Sequence, residues 1–261
     1  MNHPLLHFER QGEGPALLII HGLFGSARNW RSLARRYAAR FDVIAVDLRN
    51  HGESFHARQM DYPTLARDLL DLIDALSIER AHLLGHSMGG KAAMMFAHLW
   101  PERLDRLLVA DIAPVAYDHS YDGLIEPAMH LDLTRITSRR DADQRLKPAI
   151  PDDAVRLFLL QSLVHDERGW RWQINWPAIR DNIRHITGFP PIDDWCIERP
   201  ALFVRGGFSS YLKDEYWPLI EAHFPRAQLE TIVRAGHWLH AEQPDAFFRI
   251  SSDFLLKNRP E

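Results

Sequence analysis

A chain of 261 residues with 46% hydrophobic content is long enough to bury one substantial core, and α/β proteins of this length are commonly single domains. Its 31 Lys and Arg stand against 35 Asp and Glu, and a formal charge of −4 excludes a general attraction to nucleic acid or to an anionic membrane, leaving small molecules as the expected partners. One cysteine, Cys196, excludes an internal disulfide; no apolar run approaches the roughly 20 residues of a membrane span; and Met1-Asn2-His3-Pro4 lacks the features of a signal peptide, so the expectation is a reducing cytoplasm without membrane insertion.

Short apolar runs alternate with amphipathic segments, the pattern of an α/β fold whose mostly parallel sheet carries helices on both faces. In chain order the spacing predicts an edge strand over 5–10, a buried strand over 16–20, a helix over 29–39 and a buried strand over 43–46. A helix over 64–76, a strand over 81–84, a helix over 88–99 and a strand over 104–110 follow. From 115 to 192 no comparable strand appears. Helical spacing over 123–131, 141–146, 152–164 and 176–186, broken by Pro148, Pro151, Pro190 and Pro191, predicts an inserted helical cap, with a small hairpin as the alternative over 166–172. The sheet resumes with strands over 201–204 and 228–232 and helices over 212–223 and 245–256. The expected organisation is a core made of 1–114 and 193–261 around a cap at 115–192. None of the 15 histidines stands in a metal-ligand spacing, so no metal is expected.

The strand over 81–84 runs into Gly85-His86-Ser87-Met88-Gly89-Gly90 and then into a helix. Strand, tight glycine turn and helix form an elbow that lifts a serine hydroxyl above a sheet beside a helix N-terminus, which makes Ser87 the candidate nucleophile rather than a plain helix N-cap. These glycines do not fit G-x-G-x-x-G, so no dinucleotide cofactor site is expected.

A serine hydroxyl needs a base, and a triad on such a sheet runs in the chain order Ser, acid, His. His237, in Ala235-Gly236-His237-Trp238-Leu239-His240, follows the last strand onto a loop at the carboxyl edge and is the candidate base, with His240 its nearest rival. The common site for the acid follows the strand over 201–204, yet that loop reads Arg205-Gly206-Gly207-Phe208-Ser209-Ser210-Tyr211, without a carboxylate. Asp214 falls where the next helix begins and suits its N-terminal end. Asp111, directly after the apolar strand over 104–110, is costly to bury unpaired. Orienting His237 supplies its pair; capping the turn at Pro114 is the bland alternative.

An oxyanion also needs backbone donors. The turn His21-Gly22-Leu23-Phe24-Gly25 after the strand over 16–20 offers the amide of Leu23, and the elbow offers that of Met88. Phe24 is expected to line the acyl pocket and His21 to brace the loop. Asp47-Leu48-Arg49-Asn50-His51-Gly52-Glu53-Ser54 reads as a structured loop held by buried hydrogen bonds.

The turn at 21–26 with Asn29-Trp30, the loop 47–54, Gly85 to Lys91, Asp111-Ile112-Ala113-Pro114-Val115 and Gly236-His237-Trp238-Leu239-His240-Ala241-Glu242 together resemble the α/β-hydrolase superfamily, and more narrowly the YbfF-type bacterial esterases and their mitochondrial relatives. The resemblance spans nearly the whole chain. It implies an α/β-hydrolase fold with a helical cap, a triad acid after the strand that precedes the cap, and esterase activity on acyl esters or acyl-CoA thioesters. Arg135, Arg139, Arg140, Arg145 and Lys147 offer partners to a CoA phosphate, although Asp132, Asp141 and Asp143 among them fit a solvated helix face equally well. Met129, Leu131, Phe158, Leu159, Trp170, Trp172 and Trp176 suggest an apolar acyl pocket, and core packing accounts for them as well.

The expected protein is therefore a serine carboxylesterase without cofactor, working through Ser87, His237 and Asp111 and an acyl-enzyme. Dehalogenases and epoxide hydrolases share the architecture but use Asp where this chain has Ser87. A cofactor-free haloperoxidase or C–C bond hydrolase on the same triad is the alternative, and a catalytically silent binding protein is the alternative outside enzymes.

Overall fold

The computed structural model describes residues 4–191 and 193–257; the sequence-read boundary at Ile192, the opening residues Met1 to His3 and the closing residues Asn258 to Glu261 lie outside them. In chain order the first half contains β1 (Phe8–Gln11), β2 (Ala16–Ile20), α1 (Arg31–Tyr37), β3 (Asp42–Val46), α2 (Tyr62–Ala75), β4 (Ala81–His86), α3 (Met88–Leu99) and β5 (Leu104–Ala110). There follow α4 (Asp122–Met129), α5 (Arg139–Leu146), α6 (Asp153–Leu160), β6 (Leu163–Asp166), β7 (Gly169–Trp172) and α7 (Trp176–Thr187). The chain closes with β8 (Ala201–Gly206), α8 (Trp217–His223), β9 (Ala227–Ile232), α9 (Leu239–Glu242) and α10 (Pro244–Leu255).

Seven strands form one sheet in the order β1-β3-β2-β4-β5-β8-β9. All pairs are parallel except β1 with β3, an antiparallel edge. Alternate residues of the inner strands serve two separate cores. Leu17, Ile19, Val43, Ala45, Leu202 and Val204 pack with Leu33 and Tyr37 of α1 and Phe247 and Phe254 of α10. Leu18, Ile20, Ile44, Val46, Ala201 and Phe203 pack with residues of α2, α3 and α8. Burial on both faces is why these strands read as unbroken apolar runs rather than alternating ones. The helices follow from equally local causes: α2 starts where Asp61 accepts the Thr64 amide at 2.9 Å beside Pro63, and its buried stripe is Leu65, Leu69, Leu72 and Ile73.

The strand expected over 5–10 pairs only from Phe8, where β3 begins to face it. The helix expected over 152–164 stops at Leu160, because Leu163 pairs with Trp172 and opens a two-stranded antiparallel hairpin. Cross-strand pairing of large side chains overrides helical spacing there. Among the described residues no helix is long and apolar enough to cross a membrane, and no group of His, Cys, Asp and Glu is arranged to hold a metal ion.

Candidate active site

Ser87 stands between the end of β4 and the start of α3 with φ 52° and ψ −120°. A side chain with positive φ is strained and persists only where the surroundings fix it. Here its N–H donates to Ala110 at 3.0 Å, its carbonyl accepts the Lys91 amide at 3.1 Å, and the turn admits no further atoms. A Cβ on Gly85 would lie 2.3 Å from the Gly89 carbonyl oxygen, and one on Gly89 2.4 Å from that of Ile20.

Asp111 follows β5, the neighbour of β4, and has no exposed surface. Its amide donates to Val204 at 2.8 Å, extending the β5–β8 ladder by one bond. Its Oδ1 accepts the Gly206 amide at 3.1 Å, and its Oδ2 accepts the Ser209 hydroxyl and His237 Nδ1, the latter at 2.8 Å. A carboxylate can only accept, so Nδ1 carries the proton and Nε2 is the free base. Nε2 lies 3.0 Å from Ser87 Oγ. The Tyr211 ring stacks on the imidazole with centroids 3.9 Å apart and planes 20° apart, and His86 Nε2 donates to the His237 carbonyl at 2.8 Å. Ser209, on the loop after β8 that carries no carboxylate, thus donates its hydroxyl to the Asp111 carboxylate.

The structure brings Ser87, His237 and Asp111 into one hydrogen-bonded line. It leaves Asp214 out, exposed and paired with Arg205. His240 is buried and stacked on Trp30 with centroids 4.2 Å apart, and burial pushes its pKa down to about 3. Leu23 and Met88 border a small space that adjoins Ser87, and among the described residues neither amide donates to a protein acceptor. The Phe24 amide is spent on His51 Nε2 at 3.2 Å.

Neutral imidazoles and one carboxylate hold the loops around this line. His21 accepts the Leu48 amide on Nε2 at 3.0 Å and so donates through Nδ1 to Gly22 at 2.7 Å. His51 accepts from Phe24 and donates to Arg49 at 3.0 Å. Burial lowers the pKa of His21 and His86, and pushes that of His51 down to about 3. Asp47 accepts the amides of Ala27 at 2.7 Å and Glu53 at 2.9 Å, and Arg49 pairs with Asp68 at 2.6 Å.

A cavity of about 280 Å³ opens on Ser87 and His237. Its walls are mainly apolar, with Phe24, Trp30, Leu124, Val155, Phe158 and Trp238 among them. Of the pocket residues expected in the inserted segment, Phe158 and Leu159 border it. Met129, Leu131, Trp170, Trp172 and Trp176 instead belong to the core packing, because they seat α4, the hairpin and α7 on the rest of the protein. Sequence reasoning missed Tyr121, Leu124, Val155 and Tyr211; only Trp238, beside the base, carried a signal. The basic residues of the insertion are partly engaged: Arg139 donates to Leu163 at 2.8 Å and Arg145 to Asp141 at 2.8 Å.

A model of the α/β-hydrolase fold family matches residues 15–244. Esterase YbfF of Escherichia coli (strain K12) is 38% identical over 248 residues, 95% of this chain and 95% of its own. The sn-1-specific diacylglycerol lipase ABHD11 of Danio rerio is 36% identical over 95% of this chain and 80% of its own. Among solved structures, a marine microorganism esterase superposes with a TM-score of 0.93 at 39% identity, covering 97% of this chain and 100% of its own. The chain belongs to the α/β-hydrolase family, within its YbfF-type esterases, and is a carboxylic ester hydrolase.

Proposed function

We propose that this chain hydrolyses acyl esters through a Ser87–His237–Asp111 triad and an acyl-enzyme intermediate. The observation that supports it most is the relay of 3.0 Å from Ser87 Oγ to His237 Nε2 and 2.8 Å from Nδ1 to a wholly buried carboxylate. His237 takes the Ser87 proton as the oxygen attacks the ester carbonyl, and Asp111 stabilises the imidazolium and fixes its tautomer. The tetrahedral oxyanion accepts from the Leu23 and Met88 amides. His237 then protonates the departing alcohol, and a water repeats the sequence on the acyl-enzyme. Segment 115–192 acts as the cap, with Leu124, Val155, Phe158 and Leu159 roofing an apolar acyl pocket in which Phe24 takes part. Thioesters would meet the same chemistry.

The test is hydrolysis of p-nitrophenyl esters from acetate to palmitate, with fluorophosphonate labelling alongside. Turnover and labelling in the wild type, both lost in Ser87→Ala with an unchanged circular dichroism spectrum, are expected. Turnover retained by that variant would sink the mechanism, and a wild type that neither turns over nor labels would point to a silent binding protein.

A further inference from the structure

His86, the residue before the nucleophile, closes β4 and is only 4% exposed. Burial lowers its pKa well below the ordinary 6.5, so the ring is neutral and a single nitrogen carries the proton. Its Nε2 lies 2.8 Å from the His237 carbonyl oxygen, which can only accept, so the proton is on Nε2 and Nδ1 is bare. Nδ1 faces the turn that carries Leu23, where a Cβ on Gly22 would lie 2.8 Å from it and 3.3 Å from the Ser87 Cβ. The imidazole therefore stands where three loops meet. It is one peptide bond from Ser87, it leaves no room beside Gly22, and it bonds to the main chain of a residue 151 positions further on. Packing alone does not call for a polar ring here: Trp30 and His240 are among its neighbours, at 6.5 and 4.6 Å between ring centres, and an apolar side chain would suit them as well.

The two parts of His237 are held by different partners. Asp111 takes the ring through Nδ1 at 2.8 Å and Tyr211 stacks on its face, which sets the orientation of the imidazole. The main-chain carbonyl is held by His86, and among the described residues no other donor reaches it. We propose that His86 is a positioning residue for ester hydrolysis: its Nε2–H holds the His237 main chain at the separation from Ser87 that lets the base reach the nucleophile. The role presupposes Ser87 and His237 as the reacting pair. Ser87 is bonded through both its N–H and its carbonyl, so His86 and Ser87 form one fixed unit, and a bond from that unit to the base sets their separation without passing through Asp111. The donor must also be neutral, because a cation whose ring centre lies 4.7 Å from that of the base would oppose the imidazolium formed during the reaction.

The test replaces His86 by Gln, Asn and Leu and reads kcat for p-nitrophenyl butyrate, with the folded fraction taken from circular dichroism and the rate of fluorophosphonate labelling measured alongside. A glutamine amide nitrogen can occupy the place of imidazole Nε2, whereas an asparagine amide is one carbon shorter and reaches only the place of Nδ1. His86→Leu and His86→Asn should each lower kcat by at least about ten-fold, and labelling by a similar factor, because both reactions use the same base and a shift of about 1 Å at the reacting atoms is worth up to about 10²-fold. His86→Gln should recover at least about five-fold over His86→Asn. A bond that served only stability would lower the urea midpoint and leave kcat per folded molecule unchanged. Leucine or asparagine variants within about three-fold of wild type overturn the positioning role, as does a glutamine variant no faster than either of them. Where one of the two does not fold, the other serves as the comparison for glutamine. Ser87→Ala tells the two failures apart: turnover lost in that variant while His86→Leu stays active leaves the triad standing and removes His86 alone, and turnover retained by Ser87→Ala removes both.

Discussion

Replacing Asp111 by Asn tests the acid with almost no change of shape. Oδ1 receives the fixed Gly206 N–H, whereas Oδ2 receives the Ser209 hydroxyl and His237 Nδ1. An amide must turn its NH2 toward one of these sides. Facing Gly206 would oppose two donors, because a backbone N–H cannot reverse; facing Ser209 is acceptable, because a hydroxyl can rotate to accept. The NH2 therefore points at His237, Nδ1 must become the acceptor, and the proton moves to Nε2, where it blocks uptake from Ser87. A wrong tautomer in an otherwise intact triad costs about 10⁴ in kcat, or about 5 kcal/mol in the barrier. The assay is p-nitrophenyl butyrate turnover with the folded state checked by circular dichroism. Asp214→Asn, at an exposed carboxylate paired with Arg205, serves as control and should leave kcat within about two-fold. A folded Asp111→Asn enzyme within ten-fold of wild type would refute the reasoning.

Three further outcomes follow from the same contacts. Gly85→Ala forces a Cβ to 2.3 Å from a backbone carbonyl, and the resulting shift of the elbow should cost about 3 kcal/mol or more, read as a lower urea midpoint; an unchanged midpoint would mean the turn is looser than described. His21, His51, His86 and His240 are buried with pKa values below the ordinary 6.5, so the unfolded chain binds protons first: stability is complete above about pH 6.5 and falls on acidification by up to about 1.4 kcal/mol per pH unit for each histidine. Urea midpoints at pH 7.5 and 5.5 check this, and a midpoint that does not fall would contradict it. Moving the acid by Asp111→Gly with Ser209→Asp keeps a residue tolerant of the φ of 55° at position 111 and should restore at least about ten-fold over Asp111→Gly alone in p-nitrophenyl butyrate turnover, a coupling absent if the two positions act independently.

Much of this arrangement is legible in the sequence, for reasons that differ from residue to residue. The strands over 16–20, 43–46 and 201–204 announce themselves because burial on both faces leaves them no polar position, and the elbow because Gly85 and Gly89 mark approaches that no Cβ survives. Asp111 stands out in the sequence because an ionisable group directly after an apolar strand needs a partner, and the loop after the strand over 201–204 holds no carboxylate. What stayed hidden depends on distant chain. Nothing around Lys91 tells that its ammonium ends on Thr187 and Gly188, about a hundred residues on. The aromatic residues of the insertion have the same composition whether they face a cavity or the core, so Trp172 and Phe158 cannot be told apart before their helices and strands are set. The hairpin at β6 and β7 competes with a continued α6, and only the pairing of Leu163 with Trp172 decides it.

The acid's position shows why chain order constrains this site less than sheet order does. Ala110 is opposite Val204 in the parallel pair β5–β8, and β8 ends only two residues further on, at Gly206, so the residues that follow the two strands leave the sheet close together. Asp111 and Ser209 then converge on one point, and the Ser209 hydroxyl bonds to the Asp111 carboxylate. The imidazole arrives from beyond β9, on a loop packed so tightly against β8 that a Cβ on Gly206 would lie 2.2 Å from the Gly236 carbonyl oxygen. Held there, His237 meets whichever strand end carries the charge. The requirement is one buried acceptor within reach of Nδ1, and either of two neighbouring strands can meet it without altering the fold. A carboxylate at either strand end would meet that requirement, whereas Gly85, Gly89 and Gly206, where the loops approach their neighbours, leave no room for a Cβ.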